Sequence, residues 1–242
     1  MNGIELLHLL FRWLHVLSAV MAVGQVWLLT FVDGLRPGQH LDPGVAAVAL
    51  RAHNWLRWSA VVMFITGIAL LIIVYYSGGA LTSVGQSPRL ALAAGIAALF
   101  AGWAVYDATW RLLIRHQGAA SLVSLALVTG FAAGLHRVMT GRAMFIHMGA
   151  MLGIIVANNV QQRIWPVESR RLSANTAAAP PSAALVEGAA LRLKHNASLS
   201  VAAILFMVSN HFPLLYGQSL SWLFPPGIVV IGWLATRVTL SR

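Results

Sequence analysis

The chain has 242 residues, 59% of them hydrophobic and only 9% charged, with a formal net charge of +10. A soluble domain carries about 25% charged residues, so a water-facing surface cannot be built here and lipid must cover much of the protein. Long apolar runs separate the arginines, which argues against nucleic acid as a partner; anchoring against acidic lipids on the cytoplasmic side accounts for the positive excess. Cysteine is absent, which excludes iron–sulfur clusters, thiolate metal sites and haem attachment through a Cys-x-x-Cys-His motif.

Spanning a bilayer takes about 20 apolar residues, and runs of that kind fall at about 5–31, 57–77, 88–108, 119–137, 143–165, 197–216 and 220–238. The expected fold is therefore an all-α, polytopic transmembrane helix bundle of about seven spans in a single membrane domain. The first run has no basic start, carries Glu5 instead, and is interrupted by His8, Arg12 and His15. It reads as a retained helix rather than a cleaved signal. Gly34, Pro37, Gly38 and Pro43 follow it, and Ser77, Gly78 and Gly79 follow the second run. Pro166 is expected to end the fifth and Pro213 the sixth. Residues 168–194, with the Ala/Pro/Ser-rich stretch between Leu172 and Gly188, read as a flexible cytoplasmic loop.

Seven spans put the termini on opposite sides. The N-terminal side then holds 4 basic residues (Arg12, Arg89, Arg137, Arg142) and the other side 12. The positive-inside rule places the N-terminus outside and the C-terminus in the cytoplasm.

Nine histidines stand out in so apolar a chain. The outer half of the membrane is expected to hold His8, His15, His136, His147 and His211. The spacing of His8, Arg12 and His15 puts them on one helix face. An arginine at that depth needs a partner, such as a haem propionate, a carbonyl or a water-filled cleft. Neutral imidazole ligates haem iron and other metals, so His147 and His211, with His15 nearby, are candidate ligands of haem b or of a non-haem metal. Gly149, Ala150 and Gly153 beside His147 leave room for a macrocycle or a neighbouring helix. A single buried histidine is more often a hydrogen-bonding group between helices.

A second polar group is expected at the cytoplasmic ends. Asn158, Asn159, Gln161, Gln162 and Arg163 close the fifth run, with Arg57, Asp107, His195 and Asn196 at other helix ends. They are candidates to line a pocket for a small anionic, hydrogen-bonding molecule. The plainer reading is that polar residues collect at helix ends and that Asp107 and Arg111 form an ion pair.

Several strings carry a family resemblance: RWLHV at Arg12–Val16, GWAVYD at Gly102–Asp107, GRAMFIHMGAMLG at Gly141–Gly153, NV at Asn159–Val160, and KHN to NHFP between Lys194 and Pro213. In this order they resemble the integral membrane domain of the bacterial cytochrome-c-linked urate oxidase, also called urate hydroxylase. His15, His147, His195 and His211 fall in the matching motifs. The resemblance implies a multi-pass protein of the bacterial inner membrane that oxidises urate or a related purine-like substrate. Electrons would pass to a separate periplasmic cytochrome c or to respiratory subunits. Against the family's pattern, the chain is expected to lack the last helix and the C-terminal cytochrome c domain, and the segment Ala22–Phe31 keeps only Gly24 of that pattern. Two other readings stay open: a non-catalytic haem-binding electron-transfer subunit of a respiratory complex, and a transporter or channel.

Overall fold

The protein was analysed as a computed structural model that describes residues 3–35, 42–173 and 180–240. Arg36, Pro37, Gly38, His40 and residues 174–179 of the expected loop lie outside the described residues. Every regular element among the described residues is helical. In chain order they are α1 (Gly3–Leu35), α2 (Pro43–Leu71) with a π-helical end (Ile72–Tyr76), α3 (Pro88–Leu112), α4 (Gln117–Val138) and α5 (Gly141–Asn159). A π segment (Val160–Ile164) leads from α5 into α6 (Trp165–Leu172). Then come α7 (Ala183–Val208), a 3-10 turn (Ser209–His211), α8 (Pro213–Tyr216), a second 3-10 turn (Ser221–Leu223) and α9 (Phe224–Leu240).

Six of these helical stretches are long and apolar enough to cross a membrane: Gly3–Val32, Pro43–Tyr76, Pro88–Leu112, Gln117–Val138, Gly141–Leu172 and Ser221–Leu240. The protein is an all-α, multi-span membrane protein. In the Gly141–Leu172 stretch 83% of the apolar window is buried, against 22–39% in the other five. That one helix is packed on all sides, and the others turn most of their apolar surface to lipid. The sequence predicts a seventh span at 197–216. Its helix, α7, instead starts at Ala183, takes in Arg192, Lys194, His195 and Asn196, and leaves α-helical geometry after Val208. Those polar residues interrupt its apolar run, and it is not among the six stretches above.

Other boundaries differ from the sequence reading for local reasons. α2 begins well before residue 57, because Asp42 caps it and Pro43 stands at its start: the Gly44 N–H donates to Asp42 Oδ1 at 2.8 Å. His53 is inside this helix and donates from Nδ1 to the Ala49 carbonyl at 2.9 Å. Pro166 does not end the fifth helix. It stands in the first turn of α6, directly after the wider π turn, which lets the chain continue past a residue with no N–H. Much of the expected 168–194 loop is helical, in α6 and the start of α7.

The chain divides into two compact units. The first comprises 1–68, 156–198 and 236–242. Its core gathers Ala22, Val26 and Leu29 of α1, Leu56 and Ala60 of α2, Val160 and Ile164 of the π segment, and Leu193 and Ala197 of α7. The Thr30 hydroxyl, also within reach of the Leu193 carbonyl, donates to its own helix at Val26.

The second unit comprises 69–155 and 199–235. Small residues there let helices approach closely. Gly149 of α5 receives Phe206 of α7, and a Cβ built on it would come within 2.8 Å of the Phe206 Cβ. Phe206 also meets Phe145 edge-on, with ring centroids 5.7 Å apart. The room beside His147 is thus used by a helix. Thr140 caps α5 by accepting from the Ala143 N–H at 3.1 Å, and its own N–H donates to the Leu81 carbonyl at 3.0 Å. Trp110 is buried and donates to Ser124 Oγ at 3.1 Å.

Candidate functional site

In the second unit His147 is fully buried on α5. Its Nδ1 lies 2.8 Å from the Ala143 carbonyl oxygen. A carbonyl only accepts, so Nδ1 carries the proton and Nε2 presents its lone pair. The Tyr76 hydroxyl donates to that lone pair at 3.0 Å. Beside that hydroxyl stands Gly95 of α3, where a Cβ would come within 2.8 Å of Nε2 and 3.4 Å of the Tyr76 oxygen. The rings of Tyr75 and Tyr76 lie 6.1 and 5.6 Å from the imidazole, the first edge-on. Both tyrosines belong to the π-helical end of α2. The Tyr75 hydroxyl donates to Asn210 Oδ1 at 3.1 Å, and Arg142 donates from Nε to the same oxygen at 2.9 Å. A fixed imidazole with a basic nitrogen is thus joined to two phenols, an amide and a guanidinium.

His15, in the first unit, is held in the same way. Its Nδ1 donates to the Met63 carbonyl at 3.0 Å, with Thr66 Oγ1 at 3.2 Å as a second acceptor. Gly67 faces the ring, where a Cβ would come within 3.0 Å of Cε1. Arg12 does not join it. It is exposed and donates from Nη2 to His8 Nε2 at 3.0 Å, so its partner is the histidine one turn earlier. His211 is exposed on the 3-10 turn after α7 rather than inside a helix. Among the described residues no three His, Asp or Glu side chains gather in a way that would hold a metal ion.

The first unit also holds the second polar group. Asn159 and Asn196 are buried and meet across α5 and α7: Asn159 donates from Nδ2 to Asn196 Oδ1 at 2.8 Å. Asn196 in turn donates to the Val156 carbonyl at 3.1 Å. Next to them on the π segment, Gln161 accepts from Arg57 Nε at 3.3 Å and donates to the Arg57 carbonyl at 3.0 Å. The Arg57 guanidinium carbon sits 5.4 Å from the Trp58 ring and 5.1 Å from the Trp165 ring, within cation–π range of both. His195 precedes Asn196; burial, and then the Arg192 charge, lower its pKa, so the ring is neutral at physiological pH. Asp107 belongs to the other unit, where it is buried and ion-paired with Arg111 at 3.1 Å.

A family profile described as "Urate oxidase N-terminal" matches residues 45–241. The chain belongs to the urate oxidase N-terminal family. No curated protein and no solved structure matches it. As a urate-oxidase-like membrane protein it presents two kinds of prepared chemistry: imidazoles with an oriented basic nitrogen, and an arginine–amide–indole cluster.

Haem b can be tested against these residues. A ligating histidine donates its other ring N–H to a backbone carbonyl or carboxylate, which fixes the tautomer. His147 and His15 both do so, and both face a glycine where a Cβ would intrude. The tautomers suit an axial ligand, but the glycine contacts measure crowding and not room: His147 Nε2 is covered by the Tyr76 hydroxyl and by Gly95, so iron reaches it only if Tyr76 and α3 draw aside.

Sequence reasoning passed over Tyr76, Gly95, Gly67 and Trp165 as site residues. Adjacent tyrosines closing an apolar run just before Ser77-Gly78-Gly79 were the available signal for Tyr76, since a phenol at that depth needs an acceptor. For the two glycines no signal in one sequence separates a seat for an imidazole from ordinary helix packing.

The Asn159–Asn196 pair yields a stability prediction. Asn196→Leu removes the acceptor of the Asn159 amide and the second donor to the Val156 carbonyl in a buried site, at a cost of about 1–2 kcal/mol. The melting temperature in detergent should fall by roughly 2–8 °C, with Asn196→Gln losing less. A leucine variant as stable as the parent would show that the pair contributes no net stability.

Proposed function

We propose that this protein is a membrane oxidoreductase of the urate oxidase type, which binds urate or a closely related purine-like anion and passes electrons to a separate cytochrome c. The observation that carries this reading is the Arg57 cluster. A planar anion edged with amide donors and acceptors calls for a guanidinium, a side-chain amide and an aromatic face. Arg57, Gln161, Trp58 and Trp165 supply all three within the first unit. Asn159 and Asn196 hold the adjoining helices in register, and the neutral His195 stands beside them.

The reaction would be a two-electron oxidation of the purine-like ring. Haem b, when bound, would accept these electrons one at a time. His147, once Tyr76 leaves Nε2, is the residue whose tautomer suits it; His15, in the first unit, is a separate candidate. This chain's own residues fix the imidazole tautomer through the Ala143 carbonyl, hold a proton at the Tyr76 oxygen, and orient the substrate by charge. Counted with α7 as a seventh crossing, the positive-inside asymmetry favours an N-terminus on the periplasmic side of a bacterial inner membrane, the side on which a cytochrome c acceptor would dock.

An optical spectrum of the protein purified from haem-replete cells tests the ligand assignment. A reducible Soret and α-band is expected. His147→Ala should deplete haem or convert low-spin to high-spin iron, and the exposed His116→Ala should leave the spectrum unchanged. A colourless wild-type protein, or an unaltered low-spin spectrum in His147→Ala, would contradict the assignment.

A further inference from the structure

The second unit contains an open apolar groove of about 450 Å³ between α3 and α4, a ligand-sized volume. Ala94, Ala98 and Ala101 line one wall, and Gly130, Phe131 and Gly134 the other. A Cβ built on Gly130 or Gly134 would meet nothing within 4 Å, so neither glycine serves helix packing among the described residues.

Three observations say what occupies it. The first is depth. From Arg137 to Ala126, the innermost lining residue of α4, is about 16 Å along the helix. One leaflet contributes about half of a hydrocarbon core that is about 30 Å thick. Deeper in, α3 and α4 are tied together by Trp110 and Ser124, so the groove is one leaflet deep. A docked transmembrane helix would require contact across both leaflets.

The second observation is charge. Arg137 follows Gly130 and Gly134 by seven and three residues, which places it on the same face of α4 at the mouth of the groove. It is exposed, as is Arg89 in the first turn of α3 at the same end of the hairpin. The third is the absence of counter-charge: the only carboxylate in residues 69–155 is Asp107, paired with Arg111 at the other end.

We infer that the α3–α4 groove is a binding site for one anionic phospholipid, its acyl chain along Ala94–Ala101 and Gly130–Gly134 and its phosphate at Arg137, with Arg89 contributing charge. The inference rests on the membrane reading alone and is independent of the substrate and haem assignments.

Native mass spectrometry of the full chain, released from detergent after incubation with equal amounts of phosphatidylglycerol and phosphatidylcholine of matched acyl chains, tests it. One phosphatidylglycerol should be retained preferentially. An interfacial arginine contributes roughly a fivefold preference, so Arg137→Gln should reduce retention by about that factor, and Arg115→Gln at the other end should not. Gly134→Leu fills the groove from a position with open space around it, so the variant should fold and lose the bound lipid; an unchanged melting temperature checks the fold. Equal retention of the two lipids, or retention unaffected by Gly134→Leu, would overturn the site. So would a wild-type dimer that Gly134→Leu dissociates, because the groove would then belong to a second copy of the chain.

Discussion

Replacing Gly95 with valine is expected to lower the melting temperature by about 2–12 °C and to break the hydrogen bond between Tyr76 and His147. The cause is steric. A Cβ at residue 95 would lie 2.8 Å from His147 Nε2, 2.9 Å from Cδ2 and 3.4 Å from the Tyr76 hydroxyl. The imidazole has nowhere to retreat, since Nδ1 is bonded to the Ala143 carbonyl and Tyr75 meets the ring edge-on. Overpacking of this kind costs about 1–3 kcal/mol, and in a protein of this size each kcal/mol moves the midpoint by roughly 2–4 °C. Alanine should cost less than valine. The size argument predicts coupling: Gly95→Ala combined with His147→Ala should be more stable than the sum of the two single changes allows. Strict additivity would mean that the two residues do not share the space.

The second large effect concerns substrate. Arg57→Ala should weaken urate binding by roughly ten- to hundredfold, the range for loss of a charge-assisted hydrogen bond. Arg57→Lys should recover part of the affinity at most, because an ammonium keeps the charge but lacks the planar fork and stacks less well between Trp58 and Trp165. Arg57→Ala also gives up the Gln161 bond and two indole contacts, so its melting temperature should fall by a few degrees; binding measured well below that transition separates recognition from folding. Wild-type affinity in Arg57→Ala would remove the substrate assignment and leave the fold and the lipid groove untouched.

The all-helical, membrane-spanning character was legible because apolar runs of bilayer length write themselves into composition. What sequence did not reveal follows from tertiary contacts that override local signals. Pro166 looks like a terminator, yet a π turn before it carries the helix on to Leu172. His195, expected at a helix end, lies well inside α7, and α2 takes in His53, which bonds its own turn. Of the candidate site residues, Asn159 and Asn196 do meet, and Arg57 joins Gln161 on the same π segment. Arg12 is paired within α1 instead, and Asp107 forms the ion pair that the plainer reading anticipated. His147 was legible as a buried imidazole. Its tyrosine cap and glycine seat depend on α2 and α3, which no local spacing connects to α5.

The most direct test mixes the purified, folded protein anaerobically with urate and ferricytochrome c and follows both absorbances. Urate should disappear while the cytochrome is reduced in proportion, with Arg57→Ala slowed and His147→Ala unable to pass electrons. Unchanged urate and an oxidised cytochrome, from protein with an intact melting transition and bound haem, would contradict the oxidase reading; urate bound without turnover would instead leave a binding or electron-transfer subunit.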